Sequence, residues 1–436
     1  MYVPILNVRP QCEYNLKEGM VHISFDDLMS GTREGSAIRR RRRLQPAGGP
    51  GDKLFPPTYP ADVKNAPPVH VFERRRLPAH GGDVWCVLLD SVQSQANRME
   101  EALLRAAEEG RVELPRIVVD FAACGLNSIG RISSLEAPHR VFDAILRDSL
   151  LGEAKFLAGS ELGRRLREAT AKDASAILEA SPSALLFGVW NSTGEGGGLG
   201  AKFARAIVSE IIGVDVPVEE VLADRRTGEI TVRTAGRRTG SRIDPLGILR
   251  SVEIFKSETD WDMTPEAAGK NAKKVRPSEV NHGNIRPEIK PLGITCAYAE
   301  QTVVITLAGL RRLRFGGDAA RDEAARALIA ALGLVALTEL DRQGYALRSR
   351  CDLVCDGPAP LELVACDGTT TPFDLSAEEA AALYAQALAR AREVGFTLAS
   401  EPVRLTPQPK LITIVQTSMA RALADEGGDA DEADNS

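Results

Sequence analysis

Short apolar runs of strand length alternate with longer amphipathic stretches along most of this chain. Residues 21–25, 84–89, 116–121, 184–190 and 302–307 are apolar or alternating runs bounded by turn-forming residues, the pattern of strands. Residues 91–109 place Met99, Leu103 and Leu104 with Ala96, Ala102 and Ala106 on one helical face. The same periodicity predicts helices over 137–151, with Val141, Ile145 and Leu146 inward, and over 161–179, 199–212, 319–332 and 377–393. Residues 216–222 and 229–234 read as two strands joined by a turn at 224–228, and further strands are expected at 351–355, 361–365 and 411–415. Residues 122–136 read as a loop. Strands and helices alternate, but the hairpin-like pairs point to an α+β fold rather than a parallel sheet. Two stretches break the pattern. Residues 30–83 and 257–291 are polar, basic and proline-bearing, with almost no periodicity, and irregular segments of that length are usually functional.

The 436 residues allow one elaborated domain, expected over 1–424. The remainder, 425–436, carries Asp425, Glu426, Asp429, Asp431, Glu432 and Asp434 and is expected to be a disordered acidic tail. Hydrophobic residues make up 44%, enough for a real core, but no run approaches a membrane span. Residues 1–10 lack the pattern of a secretory signal, so a cytoplasmic location with no membrane partner is expected. Seven cysteines, an odd and scattered set, argue for reduced thiols rather than a disulfide framework. The five histidines form no metal-ligand spacing, and no cofactor is expected.

Net charge is −6, which alone speaks against a nucleic-acid partner. The distribution changes that view. Between Arg33 and Arg76 cations dominate, including the run Arg39, Arg40, Arg41, Arg42 and Arg43, and Lys53. A solvated loop is the bland reading of this run, but basic charge beside structured-looking turns favours a surface that tracks a phosphate backbone.

The sharpest local motif follows Trp190. Gly194, Gly196, Gly197, Gly198 and Gly200 turn the chain between an expected strand and an expected helix that would carry Lys202 and Arg205 in its first turns. Glycines let backbone N–H groups converge on an anion, and a helix N-terminus adds positive charge, so a phosphate site is expected; a tight connection without ligand is the alternative. Gly200-Ala201-Lys202-Phe203 fails the Walker pattern, and the match to the dinucleotide fingerprint is loose. Gln95, Asn97 and Arg98 open the helix at 91, where they could hold phosphate or ribose hydroxyls, or sit beside a capped and solvated helix start. Glu136 with His139 and Arg140 allows acid/base chemistry, but a proline-marked helix start with Glu136 as cap is the simpler reading. Asp26 and Asp27 could bind Mg²⁺, on a weak signature. No Ser/His/Asp set or nucleophile elbow is present in the sequence.

Three motifs in order then carry a resemblance: residues 88–102, residues 134–148 around Ser134, Glu136, His139 and Arg140, and residues 184–205 through the glycines to Lys202 and Arg205. Together they resemble the CRISPR-associated RAMP-superfamily protein that forms the crRNA-binding backbone of type I-G (formerly I-U) Cascade. The likeness covers residues 20–260 best. It implies an RRM-like palm, a ferredoxin-type βαββαβ core with long thumb- and finger-like insertions. It implies several copies stacked along crRNA, with guide bases left free to pair with target DNA, other Cascade subunits as partners, and no catalysis. Residues 30–83 and 257–291 both qualify as the thumb, the second bearing Lys270, Lys273, Lys274 and Arg276. Ordinary RRMs stack bases on an aromatic pair of a central strand; no such pair is evident here, which agrees with a backbone grip. Two other readings stay open: a metal-dependent ribonuclease acting through Asp26 or Asp27, and a nucleotide-binding enzyme using Gly194–Gly200.

Overall fold

The computed structural model describes residues 21–60, 69–191, 200–223, 230–233, 241–258, 260–285 and 292–425. Six elements form its core. In chain order they are β1 (Ala37–Pro46), α1 (Val92–Glu108), β2 (Ile207–Val214), β3 (Tyr298–Thr306), α2 (Ala319–Gln343) and β4 (Leu361–Val364). β4 pairs with β1, β1 with β3, and β3 with β2, all antiparallel. That order, 4-1-3-2 with helices following β1 and β3, is the ferredoxin-type βαββαβ arrangement, and the α+β expectation with an RRM-like palm holds. A hairpin of Phe72–Leu77 and Gly82–Asp90 widens the sheet beyond β2. Thr370–Asp374 and Val21–His22 widen it beyond β4.

Why these residues take these places is clearest in α2. Its stretch from Ala324 to Leu340 is buried on every side, as expected of a helix apolar all round. Asp318 caps its start, accepting from the Ala320 N–H at 2.7 Å, and Gly344, at φ +78, ends it. At Gly333 the helix lies against the sheet so closely that a Cβ would stand 2.9 Å from Ile305. A second sheet, ordered Arg131–Ser133, Ile117–Asp120, Val403–Pro407, Ser149–Leu151 and Ala154–Lys155, contributes to the same core. One apolar cluster joins Ile38, Ile207 and Val303 of the first sheet to Ile117, Val119 and Leu405 of the second.

Several expected elements are different. Residues 30–83 are not one irregular insertion: they hold the end of the helix Phe25–Glu34, the central strand β1 and an edge strand. Five arginines in succession hid the period-2 alternation of Ile38, Arg40, Arg42 and Leu44 against Arg39, Arg41 and Arg43. Residues 184–190 are mostly helix, Pro182–Phe187, with proline in its first turn and Gly188 (φ +83) at its end. The helix expected over 199–212 is two strands, Lys202–Phe203 and β2, because Ile207, Ser209 and Ile211 point inward at strand spacing. Residues 137–151 form two short turns and a strand, and 161–179 a helix broken after Glu168. The strand expected at 411–415 is the first turns of the helix Pro409–Asp425, whose Leu411, Ile412 and Val415 pack on the core; the strand lies earlier, at Val403–Pro407.

Between β2 and β3 the chain builds two small sheets apart from the palm sheet. One pairs Glu220–Ala223 with Ile230–Arg233; the other sets Ile254–Lys256 between Trp261–Asp262 and Lys273–Val275. The loop expected over 257–291 therefore has strands of its own. The tail 426–436 lies outside the described residues. Among the described residues no helix is long and apolar enough to cross a membrane.

Candidate nucleic-acid interface

The arginine run divides by strand alternation. Arg40 is 3% exposed and forks onto Asp341 of α2 at 2.5 and 2.8 Å, with Gln301 Oε1 accepting at 3.0 Å. Arg42 pairs with the same carboxylate at 2.9 Å and donates to Tyr345 Oη at 3.1 Å. Burial drives the Tyr345 hydroxyl far above its ordinary range, keeping it neutral, and it donates to Asp341 at 2.7 Å. Gln301 extends the chain of bonds to Gln95, whose Oε1 also accepts from Ser209 Oγ at 2.7 Å. The Gln95 amide donates to buried Asp90 at 2.7 Å, and Asp90 also receives Ser94, Arg98 and Arg348. This polar network crosses the palm from β1 to α1. It assigns Arg40, Arg42 and Gln95 to internal satisfaction of buried groups, and ties Arg98 to Asp90 and the Leu347 carbonyl at 2.6 Å. These residues were expected to meet phosphate, and the structure gives them interior partners.

Arg39 and Arg41 point to the open face but meet carboxylates, Glu362 at 2.6 Å and Glu300 at 2.7 Å; Arg43 lies over the Tyr298 ring at 4.2 Å. Lys53 is half buried, its stem beside Gly293. Asn97 and His139 are exposed. Glu136 accepts from the Ser133 N–H at 2.7 Å and closes a turn, since no helix starts at 137 for it to cap. Asp27 belongs to a capping box with Ser24, whose hydroxyl and N–H both donate to it and hold its carboxyl below the usual range. In the insertion, Lys270, Lys273, Lys274 and Arg276 are all exposed, and Lys274 pairs with Glu253.

A second group of cations gathers where the glycine motif begins and ends. Val189–Trp190 and Lys202–Phe203 pair as a short antiparallel hairpin, with Lys202 opposite Trp190. The Lys202 Nζ stands 5.5 Å from the centre of the Trp190 ring, and the indole is 48% exposed. Gly200 is required here, because a Cβ would fall 2.0 Å from the Asn191 carbonyl oxygen. Gly196, Gly197 and Gly198 lie outside the described residues. No helix follows the motif, so the argument from a helix N-terminus fails for Lys202 and Arg205, and with it the loose dinucleotide fingerprint loses its helix.

Arg140 stands behind the hairpin. It clamps buried Glu100 at 2.7 and 2.8 Å and donates to the Gly188 carbonyl at 2.8 Å. Its φ of +51 is unusual for a residue with a Cβ, at a cost on the order of 1 kcal/mol. Burial raises the Glu100 carboxyl, and Arg140 opposes that rise. Arg205 packs its backbone against Gly188 and makes no hydrogen bond among the described residues. Burial lowers its guanidinium, and the nearby Arg140 charge lowers it further. Arg140 and Arg205 therefore share one close carboxylate, Glu100, and Lys202 stands beside the open Trp190 ring. Among the described residues the surplus is positive. Sequence reasoning missed Trp190 as a site residue, since it ended what read as a buried strand; its position immediately before the polar, glycine-rich turn was the available signal.

Residues 38–218 match the family described as CRISPR-associated protein GSU0053. The matched segment runs from β1 through α1 and the hairpin to just past β2, and it indicates a CRISPR-associated protein. No curated protein matches the chain.

Proposed function

We propose that this chain is a crRNA-binding backbone subunit of a type I-G Cascade, without chemistry of its own. Copies would polymerise along the guide, contact other Cascade subunits, and leave guide bases free to pair with target DNA. The observation that carries this reading is the surplus of cations at the Trp190–Lys202 hairpin, set on a ferredoxin-type palm within a segment similar to a CRISPR-associated family. A grip that ignores sequence needs cations and glycines that admit close backbone approach rather than a base-reading pocket. The insertion between β2 and β3, with its own small sheets and exposed Lys270, Lys273 and Arg276, is the better thumb, since residues 30–46 are spent in the palm. A ribonuclease acting through Asp27 is the poorer reading, because its carboxylate is engaged by Ser24; Asp26 beside it is exposed.

The test is co-expression with a CRISPR array and its processing enzyme, followed by extraction of bound nucleic acid. This reading expects nuclease-resistant RNA of one discrete length. A nucleic-acid-free monomer that also ignores added guide RNA would overturn it.

A further inference from the structure

Trp190 and Trp261 are the exposed aromatic side chains among the described large hydrophobics, at 48% and 41%. Both lie off the palm sheet, and each faces a lysine across an antiparallel pair: Trp190 opposite Lys202, Trp261 opposite Lys256. A large indole left in water costs hydration free energy that a folded chain normally avoids by burial. A lysine beside it favours a ligand with a π face and a negative charge. A nucleotide has both.

We propose that Trp190 is a stacking platform for one nucleobase of single-stranded RNA, with Lys202 and Arg205 taking the adjoining phosphates. The inference rests on the RNA reading above and adds to it a station where a base is held by its face. The local charge separates this from an ordinary protein contact. Tryptophan hot spots of protein interfaces are commonly ringed by energetically near-neutral contacts that exclude water. Here Lys202 has no carboxylate partner among the described residues, and Arg205 is close to a second guanidinium. Two hydrogen bonds tie the hairpin at its ends. The Asn191 N–H donates to the Ala201 carbonyl at 3.2 Å, and Arg140 fixes the Gly188 carbonyl at its base. Stacking on such a platform tolerates any base, as a guide-binding protein requires, because every base offers a π face. In the insertion Trp261 stands opposite Lys256 in strand register only: that lysine donates to the Glu279 carbonyl at 3.5 Å, and His282 lies edge-on to the indole at 5.4 Å between ring centres.

The experiment compares wild type with W190A, W190L and W190F on labelled single-stranded RNA of guide length, and on the same RNA made abasic. A thermal melt checks the fold of each variant. W190A and W190L should bind the intact RNA roughly tenfold more weakly, W190F should keep most of the affinity, and the differences should vanish on abasic RNA. Ultraviolet cross-linking of the wild type should map to Trp190. If wild type binds RNA and W190A and W190L bind it equally well, the platform is wrong and the RNA reading stands. If W190A binds RNA normally but fails to assemble further copies on it, Trp190 is a protein contact and the platform is again wrong. If wild type binds no RNA, both fall together.

Discussion

Two groups of arginines and lysines in this molecule have the same charge and opposite fates. Arg40 and Arg42 stand on the central strand β1, where both guanidiniums bond to Asp341 and are held further by the neutral Gln301 and Tyr345 side chains. Lys202 and Arg205 stand on the way into β2, where Arg205 shares Glu100 with Arg140 and Lys202 lies over the Trp190 ring. The difference teaches that a basic run is informative only once its alternation is known. In a strand every second residue of such a run must face the core, where a guanidinium persists only when paired. The less conspicuous group is the one left with charge to offer a ligand.

That comparison breaks most visibly in stability. Arg40→Ala should cost about 3 kcal/mol, because it removes one partner of a buried ion pair; urea unfolding measures it, and an unchanged midpoint would dissolve the distinction. Gly200→Ala is expected to splay the hairpin at a local cost of about 2 kcal/mol, through the clash with the Asn191 carbonyl. Hydrogen exchange should rise at residues 189–203 while the global melt holds. Lys202→Glu should leave the fold alone and weaken RNA binding about tenfold, or about 1.4 kcal/mol, in a filter-binding titration.

A pH effect follows from His70, which joins the loop after β1 to the end of the insertion. Its Nδ1 donates to the Pro57 carbonyl at 3.1 Å and its Nε2 accepts from the Gly293 N–H at 3.1 Å, so it is neutral. Burial holds the imidazole below its ordinary value of 6.5. The unfolded ring therefore takes up a proton first as pH falls. The stability it contributes is present above pH 6.5 and is lost as pH drops below that value toward the lower folded one. Protection factors at Leu54 and Gly293, taken relative to the intrinsic exchange rate at each pH, should fall at pH 5.5 relative to 7.5, and His70→Gln should flatten that dependence. The smallest effect is expected at Arg41→Ala: the pair with Glu300 is 59% exposed on the arginine side, so stability should move by less than about 0.5 kcal/mol.

Much of the palm was legible in the chain. The strand at 302–307, the helix at 91–109 and the helix at 377–393 announce themselves by clean periodicity and by caps such as Ser91 and Ser376. What misled was chemistry that disguises period. Arginine at inward positions masks β1, because the burial of Arg40 depends on Asp341, 301 residues away. Alanines at 201, 204 and 206 suggest a helix where β-branched residues at 207, 208, 211, 212 and 214 build a strand. The site was half legible. Lys202, Arg205, Arg140 and Gly200 come together as a group, whereas Gln95 and Arg98 belong to the interior network that only the fold assembles.

The most direct test of this account is the salt dependence of RNA affinity. It should be measured for wild type, for Lys202→Gln with Arg205→Gln, and for Arg39→Gln with Arg41→Gln. The account predicts that the hairpin double variant flattens the slope of log affinity against log salt by about 1.4, close to 0.7 for each lost phosphate contact on a single strand, while the β1 double variant matches wild type. A hairpin variant with the wild-type slope, together with a flattened slope in the β1 variant, would contradict it.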